Sequence, residues 1–246
     1  LFQQVVWLVK NELKTQWIAM AFTVIVTIFM GLVSANVLEQ SVQNLFVAES
    51  PFYNHIVSDI IFIILTPSFA VVFMSRPYLS FQTIKEDPFS KRMALLRTLP
   101  ISIPILALSR IVFMMITFVV MSVTFYVVMT FTLTDSFFNH VTHSEYWIFI
   151  LSWFGYALAI GGMNPVIEYG TNGKILHIFA WFLVLVYLLI IFLFYIFMEQ
   201  GFVEWVLLLI KNHGWLVAVI PLLIGIGSSM FWNKLLIMRL AKKDYW

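Results

Sequence analysis

Six long apolar stretches, separated by gaps alternately rich and poor in Lys and Arg, constrain this chain more than any other feature. They cover residues 17–38, 56–75, 105–133, 146–163, 175–198 and 215–238. Each reaches or approaches the roughly 20 residues that a helix needs to cross about 30 Å of hydrocarbon. Of the 14 basic residues, all but Lys211 fall at the N-terminal end, in the second and fourth gaps or at the helix mouth after the second, or at the C-terminal end. Basic residues gather on the cytoplasmic side of membrane proteins, so this alternation predicts six crossings with both termini inside. The expected fold class is an all-α membrane protein, a single transmembrane domain over residues 1–246, six transmembrane helices with N-in/C-in topology.

With 62% hydrophobic and 11% charged residues, the chain lies far outside soluble globular norms. The stretches leave no connection longer than about 30 residues, too short for an independent ATPase or kinase domain. The net charge of +2 matters less than its distribution across the membrane. There is no cysteine, which excludes disulfides. The opening Leu1-Phe2-Gln3-Gln4 lacks a basic region with a small-residue cleavage site and reads as a slightly trimmed mature N-terminus.

Residues 2–14 read as an interfacial helix or as a helical extension of the first span. Phe2, Val5, Val6, Val9 and Leu13 recur at helical spacing, and Trp7 and Trp17 suit the headgroup boundary. Glu39, Glu49 and the Ser50-Pro51 break mark the first outer connection. Thr66-Pro67-Ser68 in the second stretch predicts a kink, with Pro67 a candidate hinge and flanking hydroxyls available to the freed carbonyl. In the long second connection, Asp87-Pro88 breaks the chain, Ser90 can cap, and residues 91–99 can form a short helix before Pro100 and Pro104. That helix would gather Met93, Leu96 and Leu99, with Leu95 adjacent, beside the charges of Lys91, Arg92 and Arg97. It suits either an anionic lipid surface or a cytoplasmic partner. Asn164-Pro165, with Glu168 as the local acid, makes a tight fourth connection. Residues 202–210 form an apolar insert between Gly201 and Gly214, too short to span, and Gly225, Gly227, Ser228 and Ser229 form a small-residue patch.

Ionisable residues inside a membrane usually mark ion or proton paths. None falls near the middle of a stretch here: Asp59 and Arg110 lie near opposite ends, where they are expected to reach water, and Glu199 lies at a boundary. No nucleophile–base pair, intramembrane metal motif or phosphate-binding glycine loop is recognisable. His140 and His143 read as ordinary loop histidines. The chain is therefore expected to be no enzyme by itself, to bind neither metal nor nucleic acid, and to take any energy from another polypeptide. Its 25 Phe, 9 Tyr and 9 Trp suit lipid contact, helix packing and a lateral cavity for amphipathic cargo.

The layout resembles the transmembrane subunit of an ABC-2 type exporter. The specific segment is Lys91-Arg92-Met93-Ala94-Leu95-Leu96-Arg97-Thr98-Leu99-Pro100-Ile101-Ser102, similar to that family's "LL…LPIS" pattern, with Arg110 leading into span three. The chain departs upstream, where the family commonly has a Glu…Gly-Thr stretch and this sequence has Lys85-Glu86-Asp87-Pro88-Phe89-Ser90. The resemblance implies a cytoplasmic coupling helix over 89–99, with Phe89, Met93, Leu95, Leu96 and Leu99 toward a groove on a separate ABC ATPase subunit. Lys91, Arg92 and Arg97 would meet its acidic rim, and Asn164, Pro165 and Glu168 would make a second contact. ATP and Mg would bind that ATPase, none binding this chain directly, and a second permease subunit would complete a homo- or heterodimer. The implied function is outward movement of amphipathic peptides, antibiotics or lipid-like molecules across a bacterial cytoplasmic membrane. A membrane scaffold or sensor that recruits a partner through its basic loop is the second reading.

Overall fold

A computed structural model describes residues 2–46 and 55–243; Glu49 and the Ser50-Pro51 break lie outside them. Among the described residues the chain is helical with no strand. Five helices are long and apolar enough to cross a membrane: Phe2–Phe46, Ile103–Thr132, His143–Gly170, Gly173–Met198 and Leu216–Lys242.

Helix α1 (Phe2–Phe46) is continuous, so the expected interfacial segment and the first apolar stretch form one rod of 45 residues, about 67 Å long. One seam of α1 is buried in two runs: Val5, Leu8, Val9 and Glu12, and then Thr23, Thr27, Gly31, Ser34, Ala35, Leu38, Ser41 and Val42. Its middle is built of small residues, which lets a second backbone approach closely. A Cβ at Gly31 would lie 3.1 Å from the Phe125 carbonyl oxygen and from Val128.

The second apolar stretch differs from a simple span. It begins as α2 (His55–Asp59), widens into a π-helical segment (Ile60–Leu65), and ends in the single turn α3 (Thr66–Ser68). The apolar helix Ile56–Ser68 is about 20 Å long, short of the hydrocarbon thickness. Pro67 has no N–H for the Ile63 carbonyl four residues back. The Tyr156 hydroxyl of a neighbouring helix donates to that oxygen at 2.9 Å, and Thr66 Oγ1 donates to Phe62 O at 2.6 Å. The candidate hinge Pro67 is thus buried, with the carbonyls beneath it bonded. The chain then runs irregularly, but Phe69, Ala70, Val71 and Val72 are buried. Non-helical backbone at membrane depth is tolerated where protein covers it.

Three short helices follow, α4 (Arg76–Leu79), α5 (Thr83–Glu86) and α6 (Pro88–Arg97), before the long α7 (Ile103–Thr132). After the short α8 (Asp135–Phe138), α9 (His143–Gly161) opens with a Thr142–Glu145 capping box. Helix α10 (Asn164–Gly170) leads to α11 (Gly173–Met198), α12 (Phe202–His213) and α13 (Leu216–Lys242).

Two helix pairs carry the core, α1 with α7 and α9 with α13. The second pair crosses at glycines. A Cβ on Gly155 would fall 2.5 Å from the Leu222 amide nitrogen, and one on Gly225 would fall 2.7 Å from the Gly155 carbonyl oxygen. Gly227 meets nothing within 4 Å, so only part of the small-residue patch serves close packing. Pro221 lies inside α13, and the Ser152 hydroxyl of α9 donates at 3.0 Å to the carbonyl of Val217, the group this proline leaves without its usual donor. Helix α9 therefore answers both intrahelical prolines, from Ser152 and Tyr156 one turn apart. Phe62 joins the pairs, packing against Phe125, Phe149 and Trp153 with ring centroids 5.1–6.3 Å apart.

The apolar insert is the amphipathic helix α12, which buries Val203, Val206, Leu207 and Ile210. Asp59 is 2% exposed, contrary to its expected access to water. Its carboxylate accepts from the amides of Phe202 and Val203, both at 2.8 Å, and so caps the first turn of α12 from another element. Glu204 accepts from Gly201 N and from Asn44 Nδ2, fastening α12 to the far end of α1.

Candidate functional site at the basic end

The short helix α6 starts at Pro88, three residues before the sequence pattern placed it. Asp87 supplies the cap: it sits in left-handed conformation (φ 41°), and its Oδ1 accepts from Ser90 N at 3.3 Å. Asp tolerates this conformation better than most residues, and Pro88 pre-sets the first helical φ. Ser90 lies inside the helix, where its hydroxyl donates to Thr171 O at 3.3 Å.

Helix α6 divides its side chains between two environments. Phe89 and Met93 are buried in the protein's own core. Phe89 packs edge-on between Tyr78 and Tyr169, with ring centroids 6.0 and 5.4 Å away. Leu96 is half-buried, while Leu95 and Leu99 are 70% and 39% exposed, alongside exposed Lys91 and Arg97. Of the residues expected to form a docking face, the structure brings Leu95, Leu99, Lys91 and Arg97 to the surface and turns Phe89 and Met93 inward.

Arg92 turns toward the bundle. Its guanidinium pairs with Glu12 of α1 at 2.5 Å, and Arg110 of α7 pairs with the second oxygen of the same carboxylate. Glu12 is 1% exposed and Arg110 3%, so Arg110 is held in the interior and does not extend to water. Arg110 also donates to the Tyr169 hydroxyl at 3.1 Å, with its guanidinium 5.0 Å from that ring's centroid. Gln16, one turn along α1, donates to Glu12 as well. The half-buried Glu168 accepts the Tyr78 hydroxyl, joining α10 to α4, and Pro165 is buried beneath it. Burial, with the Glu168 carboxylate beside it, pushes the Tyr78 hydroxyl well above the usual tyrosine range and keeps it a neutral donor. One carboxylate thus ties three elements, α1, α6 and α7.

Glu12 is the residue that sequence reasoning missed. The signal was present: Val5, Val9 and Glu12 share one helical face, so an acid interrupts an apolar stripe. Buried acids of this kind need a partner, and the basic α6 and Arg110 supply two.

Further around this end, Arg97 donates to the Lys243 carbonyl at 3.0 Å, and Lys243 Nζ reaches Ser90 Oγ at 2.5 Å and the Thr171 carbonyl. Burial lowers the pKa of Lys243, with Asp87 opposing. A Cβ on Gly173 would lie 2.0 Å from the Thr83 carbonyl oxygen, so the α5–α11 contact requires glycine there. At the opposite end, Lys211 donates to His140 O at 2.9 Å, and the rings of His140 and His143 rest on Phe46 and Phe138. Among the described residues, no group of three or more His, Asp or Glu side chains could hold a metal ion.

The helices define a multi-pass membrane protein. No protein family, curated protein or solved structure matches the chain.

Proposed function

We propose that this chain is the membrane-spanning permease subunit of an ATP-driven exporter of the ABC-2 type, with six crossings and both ends in the cytoplasm. The second crossing is the helix Ile56–Ser68 completed by the covered segment 69–75. The positive-inside distribution supports the orientation: α6 and the end of α13 meet at the basic end, while the α8–α9 connection and α12 meet at the other.

The observation that carries this reading is the clamp on α6. A transmission element must present an outer face to a motor and be fixed to the spans on its inner face. Helix α6 exposes Leu95 and Leu99 with Lys91 and Arg97, and is fixed within by Phe89, Met93 and the Arg92–Glu12–Arg110 pairs. ATP and Mg bind the partner ATPase, two of which act on a dimer of permeases. Cargo is amphipathic: a lateral cavity of about 610 Å³ between α9, α11, α12 and α13 is walled by Trp153, Tyr187, Phe202, Trp205 and aliphatic residues.

The test is affinity capture of the tagged full chain from its native membranes, followed by assay of the complex for Mg-dependent ATP hydrolysis. A stoichiometric ATPase stimulated by amphipathic peptides is expected, and L95D/L99D should lose it, because the substitution sets charge against an apolar groove. Alanine at Lys91 and Arg97 should weaken capture in a salt-sensitive way, as rim charges do. Equal capture by the double Asp variant would remove the role assigned to α6. Capture of a regulator with no ATPase would establish the scaffold reading instead.

A further inference from the structure

A second cavity, of about 620 Å³, lies at the basic end between the α10–α11 connection and the last turns of α13. Its lining has two chemistries. Arg239, Lys242 and Lys243 with Thr171 and Asn172 supply its polar lining, and Ile175, Leu235 and Met238 its apolar lining. Gly170 makes room for this arrangement, since a Cβ there would sit 3.2 Å from Arg239 Cβ. The opening turn of α11 also faces this region. Asn172 Oδ1 accepts the Ile175 amide in that turn, and the positive end of the helix adds to the cations. Asp87, whose carboxylate caps α6, acts electrostatically on Lys243.

The two helices that frame the cavity are poorly covered by protein. The buried residues of α11 are Gly173, Leu176 and Ile191, and those of α13 are Ala218, Gly225, Leu236 and Leu240. Beyond the apolar lining, α11 offers Ile178, Trp181, Phe182 and Leu185 to its surroundings. The cavity therefore joins a cationic rim to a greasy strip that runs toward the bilayer interior. A free inorganic anion would use the rim alone. A phospholipid with a net negative headgroup uses both, with the phosphate between Arg239 and Lys242 and an acyl chain against Ile175, Leu235 and Met238.

We infer that this cavity is a binding site for one anionic phospholipid of the inner leaflet, seated between α11 and α13. The inference rests on the chain crossing a bilayer and not on the transport reading. Basic pockets between membrane helices have the chemistry to select such headgroups.

The test is native mass spectrometry of the purified full chain with phosphatidylglycerol or phosphatidylcholine of matched acyl chains. Phosphatidylglycerol should be retained preferentially. R239Q/K242Q should hold it roughly 25-fold more weakly, taking each cation near the surface as a factor of about five, and should leave phosphatidylcholine unaffected. M238W, which fills the apolar side and leaves every charge in place, should also reduce retention; it carries the test if the double variant does not fold. Millimolar inorganic phosphate should not displace the lipid. Equal retention of the two lipids, an unchanged preference in both variants, or displacement by inorganic phosphate would each overturn the assignment, the last in favour of a soluble anion.

Discussion

Glu12 and Arg110, 98 positions apart in the chain, form an ion pair with both side chains almost wholly excluded from solvent. Such a pair adds little net stability, because desolvating the charges offsets their attraction, yet breaking it strands a charge. Glu12→Ala is therefore expected to destabilise the protein by about 3–5 kcal/mol. The double variant E12L/R110M should recover most of that loss. Arg92→Gln should cost only about 1 kcal/mol, since the Arg92 side chain is 32% exposed. Denaturant unfolding in detergent micelles checks all three; a double variant no better than Glu12→Ala would disprove the stranded-charge account.

The α9–α13 crossing makes opposite predictions for two glycines of one chain. Gly155→Val places atoms where the α13 backbone now lies, and backbone cannot yield as a flexible side-chain tip can. A loss of at least 1–3 kcal/mol is expected, on the scale of an overpacked core. Gly227→Ala meets open space and should gain up to about 1 kcal/mol from helix propensity. Thermal unfolding of the two variants side by side decides the matter, and equal effects would refute the packing argument.

The hydroxyls of α9 that serve the two prolines give a third expectation. Tyr156→Phe leaves the Ile63 carbonyl without its donor, and Ser152→Ala does the same at Val217. Each should destabilise by roughly 0.5–2 kcal/mol, the scale of hydrogen bonds between membrane helices. Replacing Pro67 by Ala in the Tyr156→Phe background should abolish most of the Tyr156 effect, because residue 67 then supplies an amide. Additivity of the two substitutions would show that the bonds act independently.

Orientation is open to direct measurement in a chain that contains no cysteine. Single cysteines at Asn139 and Asn212 should react with an impermeant maleimide applied to intact cells. Those at Ser90, Asn172 and Lys243 should be protected until the membrane is opened. Ser90 and Lys243 touch one another, so they must report the same side. Labelling of Ser90 from outside would invert the topology.

Periodicity and composition made the long helices legible, since twenty apolar residues leave a polypeptide few alternatives in a bilayer. The short α6 and the insert α12 were also readable, from proline and glycine punctuation. The cap of α6 was read one turn late, because Ser90 and Asp87 are both good caps and only the left-handed Asp87 backbone separates them. Three features were hidden for a common reason: their partners are remote in sequence. Asp59 was assigned to water, but the donors that hold it are 143 and 144 positions away on α12. Arg110 near a helix end likewise predicts access to water, and although Glu12 interrupts an apolar stripe, nothing local shows that it meets Arg110, 98 positions away. In the second apolar stretch Pro67 predicts a kink, but not the π-helical segment Ile60–Leu65 ahead of it or the Tyr156 hydroxyl, 93 positions from Ile63, that bonds its carbonyl.

The unbroken α1 has a mechanical consequence. Its first turns are anchored to α6 through Glu12, and its last turns to α12 through Asn44 and Glu204. A rigid rod of that length acts as a lever: a tilt of about 5° at one end displaces the other by roughly 6 Å. Motion delivered to the basic end would thus be felt beneath α12 without any intervening joint in α1.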